Sequence, residues 1–232
     1  FMMVMVRVKM SNEIKTESPL AYFHDTASKN SSVSADKNAS LGADSRVVAR
    51  EQHICSHLNL RGDAQDPVFV EGMSKILGMS LPIKPGHYNC VIGEKSSMKQ
   101  SLYWLGPDEW LLISRQLAEG FCTNLRETLD AHISITDVSG GQTLVNLSGD
   151  NEAIQIVLKK SSVYDFGVWE SASESGGRCA QTTFGKTSAL VSNRSNGSYD
   201  LLVRRSFADY FALWLLDAGR EFGISILGPH PE

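Results

Sequence analysis

Cysteine is scarce in this sequence, four in 232 residues, and Cys55, Cys90, Cys122 and Cys179 include no C-x-x-C pair. That spacing speaks against a zinc knuckle and a dense disulfide framework. It fits a reducing compartment, where cysteine serves as a small buried apolar group. Positive charge is not concentrated: the formal net charge is −4 and no basic stripe occurs, which argues against nucleic acid as a partner. The opening "FMMVMVRVKM" is broken by Arg7 and Lys9. It falls well short of the roughly 20 apolar residues that span a bilayer. It also lacks the basic, apolar and small-residue order of a secretory signal. We read it as a short strand or unpacked leader, and the protein as cytoplasmic, with no membrane partner.

Recognisable catalytic patterns are missing too. There is no G-x-G-x-x-G or G-x-x-x-x-G-K-[ST] phosphate loop, and no G-x-S-x-G elbow or H-E-x-x-H. The two "SGG" stretches, Ser139 to Gly141 and Ser175 to Gly177, are glycine pairs without phosphate-loop spacing. "HICSH" places His53, Cys55 and His57 at i, i+2 and i+4, on one face if the segment is a strand. These are zinc-type ligands. Alternate strand residues stand about 6–7 Å apart, though, so a metal would need a ligand from a second strand. The plainer reading is two partly exposed histidines around a packed cysteine. We assign no catalytic, cofactor-binding or metal-binding residue.

What is present begins with a mobile polar arm, residues 1–46, whose stretch from Ser11 to about Ser45 is too poor in large apolar side chains to order itself. Inside it "SPLAYF", Ser18 to Phe23, is an apolar island able to dock. The sequons at Asn30 and Asn38 carry little meaning without a secretory signal. From Val47 to Glu232 the chain reads as one folded unit with a weak internal repeat. "NLRGD" (Asn59 to Asp63) returns as "NLSGD" (Asn146 to Asp150), 87 residues on, and "LLISRQLA" (Leu111) as "LLVRRSFA" (Leu201), 90 residues on. Two matches at nearly one offset make a duplication plausible, with halves of about 47–133 and 134–232. In each, a strand ends in an x-Gly-Asp turn that suits positive φ and a helix-capping aspartate.

Helices are predicted over Pro67 to Leu77 and Glu152 to Lys159. Strands are predicted over Tyr88 to Ile92, Ser101 to Leu105 and Glu109 to Ser114, then Arg178 to Thr183, Thr187 to Ser192 and Ser198 to Arg204. The last helix, "SFADYFALWLLDAG", shows a Ser206/Asp209 capping pattern. Its apolar face is Phe207, Phe211, Trp214, Leu215 and Ala218, with a stop at Gly219 or Gly223. Its first-half counterpart carries Leu117, Phe121, Leu125 and Leu129. The predicted class is α+β: two similar β-α-β-β-α halves with sheets covered by helices.

"YWLGPDEWLLI", Tyr103 to Ile113, sets two adjacent carboxylates, Asp108 and Glu109, between apolar runs. Gly-Pro-Asp is turn chemistry, and a turn tip beside water does not perturb a pKa as acid–base work requires. We read these carboxylates as structural, and expect Trp104 or Trp110 to be partly exposed. "RGD", Arg61 to Asp63, is read as a strand-to-helix turn.

The stretches "LNLRGDAQDPVFVEGMSKILGMSLP", "LYWLGPDEWLLIS", "DVSGGQTLVNLSGD", "CAQTTFGKTSALV" and "LLVRRSFADYFALWLLDAGREFG", in this order, resemble the gamma-subunit family of heterotetrameric sarcosine oxidase. "SPLAYF" resembles that family's opening. The resemblance implies a non-catalytic assembly subunit in sarcosine catabolism and a fold like the folate-binding domains of the glycine-cleavage T-protein. It implies alpha, beta and delta partners that carry the flavins, folate, NAD and zinc, and no cofactor in this chain. The alternatives it leaves are the equivalent subunit of an N-methylglutamate dehydrogenase complex, or a T-protein-like folate-dependent aminomethyltransferase or folate-binding module. The T-protein's Gly-Tyr-x-Gly-Glu stretch, whose glutamate holds the pterin, falls near Thr183 to Ala189. This chain reads "TFGKTSA" there, without a glutamate.

Overall fold

A computed structural model describes residues 17–24, 45–53, 55–93, 98–115, 117, 120–129 and 132–229. The leader and most of the polar arm lie outside them. After β1 (Val47–Glu51) and β2 (Ser56–Arg61) comes helix α1 (Pro67–Leu77), over the predicted residues. Pro67 sits in its first turn, Asp66 caps it by accepting from Val68 N at 2.9 Å, and Gly78 ends it at φ 67°. Phe69, Met73 and Leu77, spaced by four, are its buried stripe. Three antiparallel strands follow, β3 (His87–Ile92), β4 (Met98–Gly106) and β5 (Glu109–Ser114), then α2 (Phe121–Thr128). The second half repeats the order: β6 (Ser134–Asp137), β7 (Gln142–Gly149), α3 (Asn151–Ser161), β8 (Gly176–Phe184), β9 (Thr187–Asn193), β10 (Tyr199–Arg204), α4 (Ala208–Ala218) and finally β11 (Ile224–Leu227).

Among the described residues the strands form one eleven-stranded sheet, in the order β11-β1-β7-β10-β9-β8-β3-β4-β5-β2-β6. Outward from the central β8–β3 pair, the two wings run β8-β9-β10-β7-β1 and β3-β4-β5-β2-β6, which is the repeat made visible. The predicted β-α-β-β-α unit is short by one strand after the first helix and by a leading strand. The leading strands are exchanged. β1 opens the first half yet pairs antiparallel with β7, and β6 opens the second yet pairs with β2. β11 then extends the second wing, parallel to β1.

Alternation along the strands makes three cores. Helices α1 and α2 cover Leu58, Leu60, Leu102, Trp110 and Leu112 on the outer face of one wing. Helices α3 and α4 cover Val145, Leu147, Val191, Leu201 and Val203 on the other. The inner faces meet each other through Tyr88, Tyr103, Leu111 and Ile113 from one wing and Leu144, Cys179, Leu190 and Leu202 from the other.

Several local expectations need correction. The x-Gly-Asp turn caps a helix directly only in the second half, where Asp150 accepts from Ala153 N at 2.9 Å. In the first, Asp63 closes a turn on Gln65 N, and the cap is Asp66, because three extra residues precede the proline-started helix. Gly149 has the expected positive φ, 126°, whereas Gly62 is needed for space: a Cβ there would strike the Phe69 ring. Ser206 does not cap α4. It lies in a 3₁₀ turn, Arg205–Phe207, already too helical to act as an extended N-cap. That turn also rotates the buried face of α4 onto Ala208, Phe211, Ala212, Leu215 and Ala218, leaving Phe207 exposed. Leu117 lies before α2 rather than in it.

Candidate functional site

The "YWLGPDEWLLI" hairpin is the β4–β5 connection, with Pro107 and Asp108 at its tip between the paired Gly106 and Glu109. Trp110 is fully buried and donates from Nε1 to Pro82 O at 2.8 Å, while Trp104 is half-buried against the first-wing core. Both carboxylates turn to β2. Arg61 reaches Glu109 at 2.7 Å and Asp108 at 3.4 Å, and Asn59 Nδ2 donates to Glu109 Oε1 at 2.7 Å. The residues that look catalytic therefore tie the ends of neighbouring strands, and the RGD stretch is the strand-to-helix turn that receives them.

The repeat does the same thing in the second wing. Asn146, counterpart of Asn59, donates to Asp200 Oδ1 at 2.7 Å, and Arg194 pairs with Asp200 Oδ2 at 2.5 Å. Here the pair is enclosed: Asp200 is 1% exposed, and the Tyr88 and Tyr103 rings stack nearby at 5.1 Å. Burial drives both phenols well above their ordinary range, reinforced for Tyr88 by the neighbouring Tyr103 and for Tyr103 by the Asp200 charge. Burial opposes the charge on Arg194, but Asp200 together with Tyr103 and Tyr88 outweighs it and raises the affinity of Arg194 for its proton. Tyr88 Oη donates to Asn193 O at 2.6 Å, and Asn193 accepts from Arg178 N. The second "SGG" stretch lies at this seam. A side chain on Gly177 would meet Asn193 Oδ1 and Ala172, and one on Gly176 would meet the Tyr88 carbonyl. These glycines let β3 and β8 join the wings, a purpose no local motif advertises.

"HICSH" does not form one strand face. Of its three candidate ligands only His57 lies in β2; His53 and Cys55 belong to the connection from β1. His57 is buried, not partly exposed as expected, because the inner face of β2 is covered by the other wing. Burial lowers its pKa to about 4, against a smaller opposing pull from Asp137, and neither ring nitrogen has a hydrogen-bond partner among the described residues. Cys55 donates to His53 O at 3.1 Å, and burial raises its pKa. Among the described residues no group of three or more His, Cys, Asp or Glu side chains is placed to hold a metal. Cys179 is pushed up to about 12 by burial, and Cys90 is raised the same way.

One acid escaped the sequence reading. Glu51, at the end of β1, is 2% exposed and helps line a pocket of about 270 Å³ with His57, Gln142, Thr143, Arg205 and Ser18. It accepts from Thr143 Oγ1 at 2.6 Å and from Ser18 Oγ, and His24 Nε2 lies 3.1 Å away. Ser18 and His24 belong to residues 17–24, whose Leu20 and Phe23 are buried in the second-wing core. The apolar island does dock, and its polar ends hold a carboxylate that burial would otherwise strand.

The "TFGKTSA" stretch is the β8–β9 hairpin, closed on α4. Lys186 N donates to Tyr210 Oη at 2.8 Å, and a Cβ on Gly185 would meet that oxygen at 2.6 Å and the Trp214 ring at 3.0 Å. With no carboxylate and no open cradle, this stretch does not fit the pterin-holding role of its T-protein counterpart.

Comparison with known proteins places this geometry. The model of the sarcosine oxidase gamma subunit family matches residues 61–221. The sarcosine oxidase subunit gamma of Corynebacterium sp. strain P-1 is 31% identical over 127 residues, covering 53% of this chain and 58% of that protein. The strain U-96 protein of the same name is 27% identical over 194 residues, covering 79% and 84%. Among solved structures, a chain of the heterotetrameric sarcosine oxidase from Corynebacterium sp. U-96, in complex with pyrrole 2-carboxylate, superposes with a TM-score of 0.70. It is 23% identical and covers 90% of this chain and 96% of that one. The glycine cleavage aminomethyltransferase T of Bartonella henselae superposes with a TM-score of 0.55 at 13% identity, over 79% of this chain and 48% of that one. Both likenesses are of fold.

Proposed function

This chain belongs to the sarcosine oxidase gamma subunit family, and from that premise we propose that it is the gamma subunit of a heterotetrameric complex that oxidatively demethylates sarcosine. Its partners are alpha, beta and delta subunits, which carry the flavins, folate, NAD and zinc. Its own work is assembly. The observation that carries this reading is the family match across both halves of the repeat.

What supports a non-catalytic part is the condition of the groups that chemistry would need. General acids, bases and nucleophiles work when their pKa lies near the operating pH and a substrate can reach them. Cys55, Cys90, Cys179, Tyr88 and Tyr103 are buried and held protonated. Asp200 is committed to Arg194 and Asn146, and Glu51 to Thr143 and Ser18. The tip carboxylates brace two strands.

The test is co-expression with the three partners. One co-purifying assembly should turn over sarcosine, while this chain alone should bind no flavin and oxidise nothing. Stoichiometric flavin or folate on the purified single chain, or turnover without partners, would reject the proposal.

A further inference from the structure

The duplication supplies an internal control for the surface, because α2 and α4 hold the same place in the two wings. Aligned through their buried leucines, Leu125 and Leu215, 90 residues apart, the helices should resemble each other wherever the fold alone decides the residue. On the inner side they do: Phe121 matches Phe211 and Cys122 matches Ala212. On the outer side they do not. Exposed Thr123 and Arg126 of α2 correspond to Leu213 and Leu216 of α4, which are 59% and 37% exposed. Trp214 in place of Asn124 has a local reason, since it donates to Ser161 Oγ at 3.0 Å and stacks on Tyr210. Among the described residues the two leucines have no such reason. An apolar helix face that the same fold keeps polar in its other copy marks a contact surface.

The charges around it select the occupant. Asp209 and Asp217 stand one helical turn before and one after Leu213, about 12 Å apart by helix rise. Both are exposed, and neither has an ion pair among the described residues. A second copy docked by two-fold symmetry would bring these carboxylates toward their own counterparts, which like-charge repulsion disfavours. We infer that the α4 face, centred on Leu213 and Leu216, docks a partner subunit that presents an apolar contact flanked by two basic side chains. The inference rests on the reading of this chain as one subunit of a heterotetramer.

The test transplants the first wing's residues onto the second, as Leu213→Thr with Leu216→Arg, in a chain co-expressed with the alpha, beta and delta subunits. The isolated variant should melt within a few degrees of the native chain, because neither side chain belongs to the buried second-wing core. Its affinity for the partner subunits should fall at least ten-fold. Separately, Asp209→Asn with Asp217→Asn should slow association several-fold at low salt and remove much of its salt dependence, an effect that a fold defect would not mimic. Failure of the native chain to assemble would overturn the assembly reading itself. Native assembly with undiminished binding by the leucine variant would overturn only this face. Self-association of the isolated chain that the leucine variant abolishes while leaving assembly intact would assign the face to a second copy, and would also overturn the inference.

Discussion

Replacing Arg194 with methionine is the sharpest test of how the two wings are held. The guanidinium is the sole cation paired with Asp200 among the described residues, at 2.5 Å, and its side chain is only 20% exposed, so solvent screens the pair weakly. Methionine keeps most of the apolar volume and removes the charge. Asp200 would keep its Asn146 hydrogen bond but remain a buried carboxylate without a counter-ion, a situation that costs about 3–5 kcal/mol. Asp200→Asn alone should cost less, about 1–3 kcal/mol, because a stranded Arg194 is long enough to reach water. With both changes made, no charge remains to be stranded. The double variant should therefore be more stable than Arg194→Met alone, with a coupling of roughly 2 kcal/mol. Urea unfolding of the four chains, read for midpoint and slope, measures this directly. A loss under about 1 kcal/mol for Arg194→Met, or strict additivity in the cycle, would refute the idea that this pair carries its charge in a low-dielectric interior.

Three further outcomes are expected. His57 is held neutral in the fold, with its pKa at about 4 against an ordinary 6.5. Its contribution should be complete above pH 6.5 and decline by roughly 3 kcal/mol as pH falls towards 4, where the unfolded chain takes the proton that the fold refuses. In His57→Gln, pH-dependent urea melts should lose that limb, and an unchanged limb would assign it elsewhere. Gly149→Ala should cost more than about 2 kcal/mol, because φ is 126° and the new Cβ would meet the Arg46 carbonyl. At Gly78, with φ 67° and nothing near, calorimetry should show a loss closer to about 1 kcal/mol. Asp108→Asn and Glu109→Gln break exposed or part-exposed pairs and should each change stability by less than about 1 kcal/mol. Turnover of the reconstituted complex should stay within a few-fold, and a loss of about a thousand-fold with assembly intact would make these carboxylates catalytic.

Much of this fold is legible wherever local chemistry decides. Pro67 and Gly78 bracket α1, Gly-Pro-Asp closes the β4–β5 hairpin, and β5 begins and ends where its composition says. The two Asn-Leu-x-Gly-Asp stretches, with the "LLISRQLA" and "LLVRRSFA" pair at nearly the same offset, make the duplication plausible before any coordinate is known. They do not reveal that each asparagine will hold a carboxylate on the neighbouring strand, since Glu109 and Asp200 lie some fifty residues away and are brought close only by pairing. Ser206 shows the opposite error. A capping pattern was present, but the chain enters α4 straight from β10 through a 3₁₀ turn, so tertiary connection overrode a local preference. Glu51 could not have been singled out, because an acid at a strand end looks solvated until Thr143 and residues 17–24 close over it.

The exchange of leading strands explains why the repeat is strong in architecture and faint in sequence. Because β1 completes the second wing and β6 the first, neither half of the chain can complete its own sheet. Pairing β1 with β7 joins segments about a hundred residues apart, a non-local contact that requires a long loop to close. Once joined, the two copies no longer face the same surroundings. The inner faces must complement each other rather than match, which is why an enclosed Asp200–Arg194 pair in one wing answers an open Glu109–Arg61 pair in the other. The outer faces are freer still, one helix left polar and the other given Leu213 and Leu216. Where a duplicated fold departs from its own symmetry without a reason among the described residues, the reason is best sought in what the chain touches.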